Sequence, residues 1–165
     1  FFAKHYKTGE SIPQEYIDKI LESANFMEGY QTLRQLSFGM LDMAWHGQDP
    51  RDIKDVAAFE DKVLGEFNVL PPIPGTNMSC SFSHIFQGGY SAGYYSYKWA
   101  EVLDADAFEF FKEKGIFNED VANAFHQHIL SAGGSEHPSV LYQRFRGQEP
   151  DVKALLRRAG LLAEE

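Results

Sequence analysis

Apolar residues recur along this chain at helical spacing nearly throughout, and no stretch alternates convincingly enough to predict a strand. Thr8-Gly9 predicts a turn. Ser11-Ile12-Pro13-Gln14 reads as a capping box, with Ser11 as N-cap and Gln14 reaching back. The helix that follows carries Ile17, Ile20, Leu21 and Ala24 on one face. A second helix is predicted from about Tyr30 to Trp45, with Leu33, Leu36, Met40 and Met43 in register and Gly47 as its stop. A third, from near Asp52, spaces Ile53, Val56, Ala57, Val63, Leu64 and Phe67 helically.

Asn68 to Ser83 breaks the pattern. Pro71, Pro72, Pro74 and Gly75 forbid a regular helix there, and so long a loop inside a compact domain is usually functional. After Gly88-Gly89 the helical spacing resumes and runs to about Lys114, stopped by Gly115. Asn118, with Glu119 and Asp120 behind it, starts another helix to about Ser131. Gly133-Gly134 makes a turn. Two short helices close the chain, Pro138 to Arg146 and Pro150 to Arg158, ended by Gly147 and Gly160. The predicted fold is all-α: an irregular multi-helix domain with one long Pro/Gly loop, spanning residues 1–165 as a single unit.

Composition narrows the function classes. A chain of 165 residues with 44% hydrophobic and 24% charged residues has the makings of a folded domain. A net charge of −9 argues against nucleic acid as a partner. No run of about eighteen apolar residues occurs, so no membrane span is expected, and no basic-then-apolar leader is read. The single cysteine, Cys80, rules out an intrachain disulfide framework. The cytoplasm is the expected compartment, with a periplasmic one left open. Aromatic residues reach 15%, rich for this size, and the chain opens Phe1-Phe2-Ala3 without methionine. That opening reads as a piece cut from a longer chain, whose apolar surface would favour self-association.

The densest candidate chemistry lies in His84-Ile85-Phe86-Gln87-Gly88-Gly89-Tyr90-Ser91-Ala92-Gly93-Tyr94-Tyr95-Ser96-Tyr97. A helix starting near Gly89 would align Tyr90, Tyr94 and Tyr97 on one face, leaving Tyr95, Trp99, Leu103, Ala107 and Phe110 as the buried stripe. The tyrosine face is then not needed for the core. Phenols along a cleft suit hydrogen bonding to a peptide carbonyl or an oxyanion; aromatic packing is the competing explanation. The glycines permit close approach and loop movement.

Other features carry less. There is no HExxH, and His126 and His128 on one helix would diverge by about 200°, so no metal site is expected within the chain. Cys80 lacks a CxxC partner and reads as a buried or inert thiol, although a pair with His84 is conceivable. The Gly-Gly pairs lack a phosphate-loop context. Glu101, Asp104, Asp106 and Glu109 read as a solvated helix face. Arg144 and Arg146, near a helix end, are expected to satisfy carbonyls and salt bridges rather than to capture a substrate carboxylate.

The stretch HIFQGGYSAGYYSYKWAEVLDADAF from His84 to Phe108 resembles the C-terminal catalytic-domain segment of the zinc oligopeptidase family, that of thimet oligopeptidase, neurolysin, oligopeptidase A and peptidyl-dipeptidase Dcp. The likeness extends to His5-Tyr6-Lys7-Thr8-Gly9, Leu70-Pro71-Pro72, Gly133-Gly134-Ser135-Glu136 and Arg144-Phe145-Arg146-Gly147 with Glu149-Pro150, essentially the whole chain. It implies a C-terminal piece of a zincin-type catalytic domain that hydrolyses short peptides, as a peptidyl-dipeptidase or an endo-oligopeptidase. In that family zinc is held by HExxH and a downstream glutamate. Neither occurs in this sequence, and the resemblance places both before Phe1, in the N-terminal remainder of the polypeptide. It therefore implies that this piece alone binds no zinc and is inactive. By position, Tyr97 and Tyr90 match catalytic, oxyanion-facing tyrosines, while His84 and Tyr94 match substrate-binding residues. Gly88 and Gly89 match a loop that closes on substrate. The alternative from another class is a non-catalytic all-helical protein-interaction domain that keeps the tyrosine face for a partner.

Overall fold

A computed structural model describes residues 3–162. Phe1 and Phe2, on which the reading of the chain's opening rests, lie outside the described residues. Helices follow in the order α1 (Gln14–Ser23), α2 (Glu28–His46), α3 (Val56–Leu64), α4 (Ser96–Lys114), α5 (Glu119–Phe125), α6 (Pro138–Arg146) and α7 (Val152–Arg158). Among the described residues the sole β pairing is an isolated bridge between Lys4 and Ser11. The fold is all-α.

The capping signals sort into those that act and those that do not. Asn118 accepts from the amides of Asp120 and Val121, and the α5 turn it starts continues as a π-helical stretch, His126–Leu130. Asp55 caps α3 through Ala58, so that helix starts at Val56, four residues later than Asp52, and Ile53 stays outside it. Asp151 caps α7 at Val152 rather than at Pro150. Ser11 caps nothing. It is drawn into the bridge with Lys4, Pro13 precedes α1, and Gln14 turns forward to Asp18 at 2.8 Å.

Two clusters form the core. The first unites Phe38, Leu41, Leu64, Ile85 and Tyr94, with Trp45, Phe59 and Phe82 against it. The second unites Ala107, Val121, Tyr142 and Phe145, flanked by Leu103, Phe110 and Phe111. Helix α4 serves both, since Tyr97 packs on the first and Ala107 belongs to the second. On α2 the buried side is Phe38, Gly39, Leu41 and Asp42. The apolar stripe read from the spacing faces out: Leu33 is 37% exposed, Leu36 40%, Met40 50% and Met43 46%. On α1, Ile20 and Leu21 are exposed as well. Along α4, Tyr95 and Trp99 are exposed, against the expected stripe.

The acidic run on α4 is not a solvated face. Asp106 is fully buried, accepting from the Tyr142 hydroxyl at 2.7 Å and from Arg146 at 3.3 Å. Glu109 pairs with Arg157, and Asp104 with Arg158, which stitches α7 onto α4. Arg144 forks onto Glu136, and Arg146 also binds Glu113, the salt-bridging role expected of them.

Candidate active site

The long loop is held by a carboxylate from α3. Glu60, largely buried, accepts from the amides of Met78 (2.7 Å) and Ser79 (2.6 Å) and from the Ser79 hydroxyl, which in turn accepts from Trp45. This clamp delivers Phe82 and a short 3-10 turn, Ser83–Ile85, to the first core cluster. Ile85 is fully buried, which leaves its neighbour His84 turned outward.

The next segment departs from expectation. Helix α4 starts at Ser96, not near Gly89, because Gly88 (φ 72°), Gly89 (φ 83°) and Ala92 (φ 55°) all take left-handed backbone that a helix cannot contain. The carboxylate of Asp42 captures the amides of Ala92 and Tyr94, each at 2.9 Å, and keeps the segment coiled. The three tyrosines nevertheless converge, by a looped route. Tyr90 and Tyr97 stack with ring centroids 5.4 Å apart and planes 12° from parallel. Tyr94 tilts against Tyr97 at 5.0 Å.

His84 completes the group. Its imidazole meets Tyr90 edge-on at 4.6 Å, Tyr94 at 5.3 Å and Tyr97 at 6.0 Å. Its Nε2 lies 3.5 Å from the Tyr97 hydroxyl, at the long limit of a hydrogen bond. Tyr90 and Tyr97 are half-buried and His84 is exposed, so their polar edges face solvent. Tyr94 is different. It is 7% exposed and packs edge-on against Phe38 and Phe82, so it belongs to the core that the tyrosine face was expected to stand clear of.

The electrostatics suit hydrogen-bond donation. The Tyr97 hydroxyl, held beside the Tyr90 phenol and partly desolvated, has its proton affinity raised above that of an ordinary phenol. It stays a neutral donor at physiological pH. Two stacked phenols and one imidazole on a shelf can address a single carbonyl oxygen from neighbouring directions. Gly88 and Gly89 border the shelf, and a Cβ at Gly88 would touch the Tyr90 ring at 3.8 Å.

Of the sequence-expected residues, His84, Tyr90, Tyr94 and Tyr97 come together, with Gly88 and Gly89 on the adjoining loop. Cys80 does not join them. It is exposed rather than buried, and its backbone amide donates to Asn77 Oδ1 at 2.9 Å. Among the described residues no group of three or more His, Cys, Asp or Glu side chains is placed to hold a metal ion. Asp42 was not anticipated. The available signal was one acid inside the apolar run Phe38-Gly39-Met40-Leu41-Asp42-Met43-Ala44-Trp45.

Fold and site together define an all-helical segment that presents a phenol–imidazole cluster to solvent. The sequence pattern of peptidase family M3 matches residues 1–161. Organellar oligopeptidase A of Arabidopsis thaliana is 44% identical over 98% of this chain and 21% of its own length. Oligopeptidase A of Escherichia coli K12 is 44% identical over 98% of this chain and 24% of its own. Dipeptidyl carboxypeptidase of the same organism is 38% identical over 97% of this chain and 24% of its own. The chain belongs to peptidase family M3. It spans less than a quarter of the length of these relatives.

Proposed function

We propose that this chain is the substrate-facing, C-terminal part of the catalytic domain of a zinc-dependent oligopeptidase that hydrolyses short peptides. The observation that carries the reading is the convergence of Tyr90, Tyr97 and His84 on one solvent-facing shelf. Family membership supports it.

On this reading the scissile carbonyl lies over the shelf. Tyr97 donates its phenol proton in a hydrogen bond to the carbonyl oxygen, and the bond strengthens as negative charge develops there. Tyr90 donates from the parallel ring, and His84 binds the substrate's peptide backbone. Tyr94, being buried, acts by seating Tyr97 and His84 instead of by touching substrate. The Gly88-Gly89 loop closes over the bound peptide. Metal ligands belong to the N-terminal remainder of the polypeptide, and so does the hydrolytic metal chemistry. The names of the relatives cover both an oligopeptidase and a dipeptidyl carboxypeptidase. Arg144 and Arg146 are already engaged by carboxylates of the chain, so a reader of a substrate's free C-terminus is sought in that remainder.

The test is hydrolysis of a quenched fluorescent peptide of about ten residues by the complete polypeptide and by residues 1–165 alone. The complete polypeptide should cleave it, lose activity to a chelator and regain it with zinc. Residues 1–165 should neither retain stoichiometric zinc nor cleave, since a catalytic zinc needs about three protein ligands. Cleavage by the short chain, or no peptide hydrolysis by the complete one, contradicts the proposal.

A further inference from the structure

Asp42 is fully buried in the middle of α2, yet it takes part in none of the chemistry described so far. Its two carboxylate oxygens are divided between two amides of one loop: Oδ1 accepts from Ala92 and Oδ2 from Tyr94, each at 2.9 Å. His46, one turn further along α2, lies against the same carboxylate, its Nδ1 2.9 Å from Oδ1. Three positions down, Gly39 lets the loop descend onto the helix: a Cβ there would sit 3.6 Å from the Tyr95 backbone. Gly39 thus gives the loop a seat, and Asp42 supplies the tie.

The loop needs such a tie. Gly88, Gly89 and Ala92 are all left-handed, and Ala92 has a Cβ that disfavours that conformation. A residue so placed persists only where its surroundings over-determine it. Alternate amides of the loop, those of Ala92 and Tyr94, turn onto one carboxylate while the Gly93 amide between them bonds the Tyr90 carbonyl, and charge-assisted bonds of this kind are the stronger class. Downstream, the Tyr97 amide bonds the Tyr94 carbonyl at 3.3 Å, so the position of Tyr94 passes directly to Tyr97.

We infer that Asp42 is the positioning residue of the tyrosine shelf: by anchoring the Ala92 and Tyr94 amides to α2, it sets where the Tyr90 and Tyr97 hydroxyls stand. This rests on the proposed role of Tyr97, and the experiment separates the two. In the complete enzyme, Asp42→Asn keeps the side chain's size but turns one acceptor into a donor facing a backbone amide. A shift of about 1 Å at the reacting groups costs on the order of 10² in rate, so kcat should fall by that order with KM little changed. Because Asp42 acts through Tyr97, the same change in a Tyr97→Phe background should lower kcat only about threefold further. Asp106→Asn alters an equally buried carboxylate, one that binds Tyr142 of the second core cluster, and should lower thermal stability while leaving kcat per folded enzyme unchanged. If Asp42→Asn does not accumulate folded, the cycle is run with Asp42→Glu, which keeps the charge but moves the carboxylate by one methylene; a fall in kcat that is not additive with Tyr97→Phe is expected, and an unchanged kcat overturns the inference. An Asp42→Asn enzyme that loses stability as Asp106→Asn does but keeps its kcat overturns the inference and leaves the tyrosine reading intact. Full additivity with Tyr97→Phe likewise overturns it. A Tyr97→Phe enzyme with undiminished kcat removes both.

Discussion

Tyr97 and Tyr142 are both phenols whose proton affinity the fold raises, by different means. At Tyr97 the neighbouring Tyr90 phenol dominates; at Tyr142 burial comes first, followed by the Asp106 carboxylate that its hydroxyl serves. The consequence at Tyr142 is structural. Tyr142→Phe removes the 2.7 Å donor to a fully buried carboxylate and leaves Asp106 to Arg146 alone, which should lower stability by about 1–3 kcal/mol in chemical denaturation. The pH dependence has a definite sign. An unfolded tyrosine ionises near pH 10 and the folded Tyr142 above it, so this stabilisation is complete below about pH 10 and is lost as pH rises further. Tyr142→Phe should therefore show a weaker fall in stability between about pH 10 and 11.5 than the parent protein. An identical alkaline fall would contradict the assignment. At this scale the aromatic chemistry was legible, because Tyr90, Tyr94, Tyr97 and His84 stand in one short stretch. The buried acids Asp42, Glu60 and Asp106 were not, because an isolated acid on a helix looks the same in sequence whether it meets water or backbone amides.

Helices α4 and α2 show how far periodicity reaches. The end of α4 at Lys114 was readable from Gly115, whereas its start was not: tyrosine spacing fits a helix from Gly89, but Ala92 is left-handed and Asp42, 50 residues upstream of Ala92, takes the Ala92 and Tyr94 amides. α2 is apolar on two sides. The spacing reads Leu33-Leu36-Met40-Met43 as the apolar face, yet Phe38 and Leu41 are the ones that turn inward, and nothing local in the sequence decides between them. The outward stripe has a consequence for residues 1–165 in isolation. With Ile20 and Leu21 of α1 also exposed, it offers apolar surface of the kind that drives association. At high concentration the isolated chain should sediment as dimers or larger species, and Leu36→Lys with Met40→Lys should shift it towards monomer. Monomeric sedimentation of the unaltered chain would contradict this.

At the scale of the whole molecule, α4 joins two cores with different duties. The first cluster holds the tyrosine shelf through Phe38, Phe82 and Tyr94; the second fastens α5 and α6 to α4 through Ala107, Val121 and Phe145, while ion pairs bind α7. The all-α class was legible from spacing alone, and the family from the tyrosine-rich stretch. The role proposed for the shelf is to stabilise charge on a substrate carbonyl, and kcat of the complete polypeptide on a short peptide reads it out. Tyr97→Phe keeps the ring and its stacking on Tyr90 and deletes one donor. Removing an oxyanion donor typically lowers kcat by about 10²–10³, with KM little changed. Tyr95→Phe, at a ring 60% exposed, should leave kcat close to that of the parent enzyme. A fall confined to Tyr97→Phe is expected; equal, small effects at both positions would make the shelf ordinary aromatic packing with no part in catalysis.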